Sequence, residues 1–182
     1  VPPCALPESL RMALDPLPDP RLVRAAATRR GIDWSLLAAV AREESRWDPR
    51  AVSAVGARGL VQLMPATAAA VAERIGRAKP TGGDLFDPET SLDLGAAELA
   101  RLLEVFGGRL GPVLAAYNAG EIQAQLWLDQ CGPDCDDALY LLNISFSATR
   151  AYTADVLAAA VSYSDLYGRK PERSAAPGIV ND

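Results

Sequence analysis

Histidine is absent from this 182-residue chain. That excludes Ser-His-Asp and Cys-His nucleophile arrangements, the His-based zinc protease motifs and the usual imidazole general base. Acid–base chemistry near neutral pH therefore falls to carboxylates, Tyr, Lys or Cys with shifted pKa values. With only three cysteines the chain has no four-Cys zinc site. Cys131 and Cys135 flank Gly132-Pro133-Asp134, a turn-rich stretch in which they either bridge in an oxidising compartment, leaving Cys4 free, or remain reduced. No apolar run approaches the roughly 18 residues of a membrane-spanning helix. An excess of basic charge is also missing: 18 Lys and Arg against 23 Asp and Glu give a net charge of −5 and a pI near 4.8. Nucleic acid is thus not an expected partner, because its binding draws on a basic field. Aromatics are only 6% of the residues, and alanine rather than the β-branched residues dominates the apolar share. An all-β fold is disfavoured, and a mostly α fold is expected.

The remaining pattern reads as one folded unit with appendages. Residues 1–18 hold five prolines and little periodicity, which predicts an extended proline-rich arm. The folded domain is expected over 19–168, followed by a C-terminal tail at 169–182. Asp19-Pro20 reads as a cap and first helical position, with Gly31 as the stop. A second helix is predicted from Asp33 to about Ser45, with Pro49 enforcing its end, and an irregular stretch from Asp48 to Met64 has room for a short strand or hairpin. Pro65 opens a helix that closes at Gly76, and residues 77–90 form a loop. Thr90 is expected to cap a long amphipathic helix ended by Gly107-Gly108. Further helices are predicted at 111–119, 121–129 and about 147–167.

Within the second helix, Leu37, Val40 and Ala41 define an apolar face, and Glu44 falls close to its centre while Glu43 is turned toward the edge. A carboxyl group on such a face is partly desolvated, which raises its pKa and suits it to act as a general acid near neutral pH. The alternative is a Glu44 that borders the core or pairs with Arg46 or Arg58. Asp48, Asp84 and Asp87 are the loop carboxylates that a two-carboxylate glycosidase would need as a partner. Asp48 and Asp87 each precede a proline and read first as turn residues. The acidic loop of Asp134, Asp136 and Asp137 has no recognisable calcium-ligand spacing, so a solvated loop is expected and no metal.

Four segments then occur in order: Glu44-Ser45, Gly56-Ala57-Arg58-Gly59-Leu60-Val61-Gln62-Leu63-Met64-Pro65, Ala116-Tyr117-Asn118-Ala119-Gly120, and Ile144-Ser145-Phe146-Ser147-Ala148-Thr149-Arg150-Ala151-Tyr152. Together they resemble the soluble lytic transglycosylase catalytic domain, which cleaves bacterial peptidoglycan and is related in fold to goose-type lysozyme. The resemblance spans roughly residues 25–165. It implies a lysozyme-like helical domain with a substrate cleft. Glu44 would be the acid/base; Ser45 would meet a sugar or acetamido group; Gln62 and Met64 would line the cleft. Tyr117 would bond to or orient Glu44, Asn118 would contact substrate, and Tyr152 would stand near the site. Gly59 and Gly120 are expected to allow close backbone approach or a turn.

The implied reaction is non-hydrolytic cleavage of the bond between N-acetylmuramic acid and N-acetylglucosamine, giving a 1,6-anhydro product, without a cofactor. The implied partner is the peptidoglycan glycan strand, and the arm and tail are candidate docking segments for a cell-envelope protein. The expected location is the periplasm or cell envelope of a bacterium, with no export signal visible in these residues. A glycan-binding module without turnover and a lysozyme-type hydrolase are the alternatives. Asn143, Ser145 and Ala148 depart from the family's usual Glu, Pro and Glu around the closing motif.

Overall fold

The computed structural model describes residues 6–168. Cys4 and the predicted tail at 169–182 lie outside the described residues. Nine α-helices run through them, with no strand; isolated antiparallel bridges join Val52 to Arg58 and Arg58 to Leu63 in the irregular stretch.

Helix α2, Pro20–Arg30, begins where Asp19 accepts from the amides of Arg21 and Leu22, and stops at Gly31 in the left-handed conformation, φ 69°. Helix α3, Trp34–Ser45, is capped by Asp33, and its residues from Ser35 to Ala41 are all buried. Three alanines in that run let neighbouring helices approach closely, and α3 is accordingly the central rod of the domain. It packs along α9, Ser147–Tyr167, and against α2 and α5, Pro88–Val105. Helix α4, Pro65–Arg74, lies on α5. Helices α6, Leu110–Ala119, and α7, Glu121–Cys131, form a hairpin about Gly120, whose φ of 91° supplies the sharp turn.

Three features differ from the sequence expectations. The long helix starts at Pro88, and Asp87, not Thr90, caps it: the Asp87 carboxylate accepts from the Thr90 amide at 2.9 Å. The acidic segment after the second cysteine forms α8, Asp137–Asn143, capped by Asp136, while Asp137 pairs with Arg109. The arm is not extended throughout, since Glu8–Leu14, free of proline, forms helix α1. The residues after α1 are strapped to the domain. Asp15 pairs with Arg42 of α3 at 2.9 Å and accepts from Ser162 of α9, while Tyr163 and Tyr167 donate to the carbonyls of Pro16 and Asp15. Cys131 and Cys135 are bonded to each other, closing the turn between α7 and α8.

One buried ionic cluster ties α2, α5 and the loop that follows α4. The Asp93 side chain is 1% exposed and takes Arg30 through both oxygens, at 3.0 and 2.7 Å, and Arg77 at 2.7 Å. Burial alone would raise the pKa of Asp93, but the bonds and charges of these arginines hold it below the usual carboxylate value.

Candidate active site

Helix α3 ends just beyond Glu44. Its stop is not Pro49 but Arg46, at φ 52°, followed by Trp47 at φ 67°. The Trp47 indole donates to the Tyr163 hydroxyl at 3.0 Å and meets that ring edge-on, which anchors the turn to α9. Ser45 donates its hydroxyl back to the Ala41 carbonyl at 3.0 Å, so its lone pairs are what it has left for a ligand. Glu43 pairs with Arg42 at the helix edge. The Glu44 carboxyl is pushed up to about 7: burial dominates, a bond from Tyr152 opposes it, and the charge of Glu43 adds to it.

The Tyr152 hydroxyl on α9 faces that carboxyl. Its oxygen is buried and lacks a partner at full hydrogen-bond geometry, which describes a contact that is close but misaligned, as acid–base contacts in ligand-free sites often are. Of the two roles expected of Tyr117, bonding to Glu44 or orienting it, the first is not how its hydroxyl proton is used. Its hydroxyl donates to the Val61 carbonyl at 2.8 Å rather than to Glu44. It still lies within the field of both Glu44 and Glu98, whose charges add to burial in raising its pKa well above the ordinary value.

The loop carrying Gln62 is fixed from several sides. Gln62 sits at φ 48°, and its amide nitrogen donates to the carbonyls of Ala51 and Gly59, at 3.0 and 2.9 Å. Gly59 is required by contact as well as by its φ of 77°: a Cβ there would stand 1.9 Å from the Leu85 carbonyl oxygen. Gln62, Met64 and Tyr117 line one cavity of about 200 Å³, together with Thr67, Glu98, Arg101 and Glu121. Met64 is 40% exposed at the start of α4. Asn118, at the end of α6, accepts from Thr149 of α9 at 2.8 Å, joining the third and fourth sequence motifs. A second cavity, of about 260 Å³, lies between Leu14, Pro16 and the end of α3 at Arg42, Glu43 and Trp47, and none of the sequence-predicted site residues lines it.

The loop carboxylates weighed as second acids serve turns. Asp48 accepts from the Arg50 amide, Asp84 from Thr81, and Asp87 caps α5. The carboxylate that sequence reasoning missed is Glu98. Its signal was available, since Glu98 stands one turn from both Leu94 and Leu102 on the apolar stripe of α5. It is 8% exposed, and Arg74 and Arg101 bond to it at 2.9 and 2.8 Å.

An acid on the central helix, a strained glutamine loop and two tyrosines are thus joined in the order of the sequence motifs. The transglycosylase SLT domain model matches residues 21–136. This chain belongs to that family. Over 143 residues, 77% of its length, it is 38% identical to the soluble lytic murein transglycosylase of Escherichia coli K12. It is 48% identical over 106 residues, 55% of its length and 21% of the relative's, to a membrane-bound lytic murein transglycosylase F of Maricaulis maris. Among solved structures, the 70 kDa soluble lytic transglycosylase of Escherichia coli is similar with a TM-score of 0.83 and 34% identity, covering 88% of this chain and 26% of that one. An inactive mutant of lytic transglycosylase Slt from Pseudomonas aeruginosa gives a TM-score of 0.79 at 30% identity, with the same coverage. This SLT domain spans 22% of the length of the Escherichia coli relative, and its mostly helical fold is that of the solved transglycosylases.

Proposed function

We propose that this SLT domain is a peptidoglycan lytic transglycosylase in which Glu44 is the one acid/base. The observation that carries the reading is the Glu44 side chain itself, half-buried at the end of the central helix with its pKa pushed up to about 7 and flanked by Tyr117 and Tyr152. A carboxylic acid so poised is populated in both protonation states at neutral pH, which suits a group that must give and then take a proton.

Protonated Glu44 gives its proton to the oxygen between N-acetylmuramic acid and N-acetylglucosamine as the C1–O bond breaks. The cation-like C1 is stabilised by the neighbouring N-acetyl group. Glu44, now a carboxylate, takes the proton of the C6 hydroxyl of the same muramic acid, whose oxygen bonds to C1. The ring closes to the 1,6-anhydro sugar, no water is consumed, and Glu44 ends protonated as it began. The intramolecular hydroxyl has a high effective concentration, so a second carboxylate is not needed. The other carboxylates near Glu44 are engaged: Glu43 with Arg42, and Glu98 with Arg74 and Arg101.

Gln62, Met64 and Tyr117 form the wall that seats the sugars, with Ser45 and Asn118 as polar contacts and Tyr152 orienting the acid. The substrate is the glycan strand of the bacterial wall, which places the protein in the periplasm or cell envelope. The bond between Cys131 and Cys135 agrees with such an oxidising compartment. The residues after α1 are already held by α3 and α9, so a docking role for a cell-envelope partner falls to α1, which buries none of its own side chains.

The test is digestion of purified peptidoglycan by the protein and by Glu44→Gln, with mass spectrometry of the soluble fragments. Muropeptides ending in 1,6-anhydro-muramic acid, absent with the variant, are expected. Reducing ends one water heavier would move the protein to the hydrolases. Binding to the wall without fragments would leave a glycan-binding module.

A further inference from the structure

The cavity beside Tyr117 carries a charge arrangement that bond cleavage does not use. Side chains of alternating sign link α4, α5 and α7. Arg74 donates to Glu98 at 2.9 Å, Arg101 donates to Glu98 through Nη2 at 2.8 Å and Nε at 3.2 and 3.3 Å, and Nη1 of Arg101 donates to Glu121 at 2.6 Å. The two carboxylates differ in standing. Glu98 is buried with both oxygens engaged, so it is a fixed support for the guanidinium. The Glu121 side chain is 44% exposed in the first turn of α7.

An exposed ion pair costs little to open. A displaced Glu121 also remains near the positive end of α7, where a carboxylate is favoured. Opening that pair frees Nη1 as a charged donor while Glu98, on Nε and Nη2, keeps the guanidinium preorganised for a new carboxylate. Among the described residues that line this cavity, Arg101 is the one cation. A chain of net charge −5 has no overall attraction for an anionic polymer, so recognition of its charge falls to local groups.

We propose that Arg101 is a specificity-determining residue that takes a carboxylate of the peptidoglycan strand in exchange for the carboxylate of Glu121, with the glycan seated along Gln62, Met64 and Tyr117. This rests on the peptidoglycan reading above and deepens it. The exchange moves no proton, since one carboxylate leaves Arg101 as another arrives. Two parts of the strand carry that chemistry: the stem peptide and, where the stem has been removed, the lactyl group of the muramic acid.

Binding is measured by calorimetry in the Glu44→Gln background, so that ligands survive. Three ligands are compared: stem-bearing strands, strands whose stems an amidase has removed, and neutral chitooligosaccharides. Adding Arg101→Gln is expected to weaken binding of the stem-bearing strands roughly tenfold, the scale of one hydrogen-bonded charge, and to leave the chitooligosaccharides unchanged. A loss that disappears with amidase-treated strands assigns the carboxylate to the stem, a loss confined to amidase-treated strands assigns it to the lactyl group freed there, and a loss with both shows that Arg101 takes either carboxylate. Glu121→Gln, which leaves the buried Glu98 pairs intact, is expected to tighten carboxylate-bearing ligands severalfold.

Equal loss for all three ligands, or none, with Arg101→Gln overturns the proposal. So does a Glu121→Gln protein with unchanged affinities, and this exposed variant decides the matter even if Arg101→Gln fails to fold. Should the Glu44→Gln parent bind none of the three, the peptidoglycan reading falls and takes this inference with it. Should it bind all three indifferently to Arg101 and Glu121, only this inference falls.

Discussion

The Tyr117 hydroxyl donates to the Val61 carbonyl at 2.8 Å, tying helix α6 to the loop whose next residue is Gln62. The same loop is held from the far side, where the Ser91 hydroxyl of α5 accepts from the Val61 amide at 3.4 Å. One residue of the motif therefore has both backbone polar groups spoken for by two helices. The cavity wall at Gln62 and Met64 is consequently held to α5 and α6, with Glu44 of α3 near enough for its charge to raise the pKa of Tyr117, and changes in the two tyrosines can be separated by what each one touches.

Glu44→Gln is expected to lower turnover by about a thousandfold or more, the scale of a lost general acid and base. It is also expected to stabilise the fold at neutral and alkaline pH. The folded carboxyl has its pKa raised from 4.5 to about 7, so the native state holds a proton that the unfolded chain releases. Stability from this group is then full below about pH 4.5 and declines as pH rises to about 7. Gln cannot ionise, so the variant gains about 3 kcal/mol over wild type at pH 8 and almost nothing at pH 4. Thermal unfolding at the two pH values checks this, and a variant less stable at pH 8 would contradict the burial of the acid.

Tyr152→Phe and Tyr117→Phe are expected to act differently. The Tyr152 hydroxyl opposes the rise of the Glu44 pKa, so its loss moves the alkaline limb of kcat/KM to higher pH and lowers the rate. Because that hydroxyl has no fully formed bond, stability changes little. Tyr117→Phe leaves the Val61 carbonyl without its donor, costing about 1 kcal/mol, and loosens the Gln62 loop. KM rises more than kcat falls, and the alkaline limb stays in place. A pH–rate profile of each variant distinguishes the two; identical shifts in both would show that the tyrosines do not divide the work in this way.

Much of this frame was legible before the fold was known, and the reasons are local. Asp19-Pro20 with Gly31, and Asp33 before Trp34, are caps whose chemistry needs only adjacent residues, and α2 and α3 follow them. Glu44 declared itself by lying among Leu37, Val40 and Ala41. The misses have equally definite causes. Five prolines concealed the proline-free run Glu8–Leu14, and the acidic segment concealed α8, because composition was read over windows wider than the helices. Asp87, read as a turn residue, is also the cap of α5. Glu98 stood on the apolar stripe of α5 with Arg101 three residues on, yet it was passed over because its other partner, Arg74, comes from a different helix, and only packing brings the two together. Which hydroxyl meets Glu44 depends on how α6 and α9 pack, which no motif encodes.

Asp93→Asn is expected to destabilise the domain by about 3–5 kcal/mol, the range for breaking a buried ion pair while its partners stay charged. Arg30 and Arg77 bond directly to the lost carboxylate. The sign of the pH effect follows from the depressed pKa of Asp93. Its contribution is fully present above the unfolded value of about 3.9 and is lost as pH falls toward the lower folded value. Urea unfolding from pH 7 down to pH 2 is expected to show a shallower acid loss in the variant than in wild type.

Gly59→Ala separates a packing requirement from a conformational one. Its Cβ would stand 1.9 Å from the Leu85 carbonyl oxygen and 2.8 Å from Ser91 Oγ. The first is backbone and cannot step aside. The second is the acceptor for Val61, so moving it releases the loop that Tyr117 holds. Gly56 is the matched control: its φ of 92° is also left-handed, but a Cβ there meets nothing within 4 Å. Gly56→Ala is expected to cost about 1–2 kcal/mol, the left-handed penalty alone. Gly59→Ala should exceed it by at least about 2 kcal/mol and raise KM for peptidoglycan, since Gln62 and Met64 move with the displaced backbone. Chemical denaturation of both variants, with digestion kinetics for any that fold, checks the pair. Equal costs at the two positions would mean that the contact with Leu85 relaxes freely and that the loop is not clamped against the segment leading into α5.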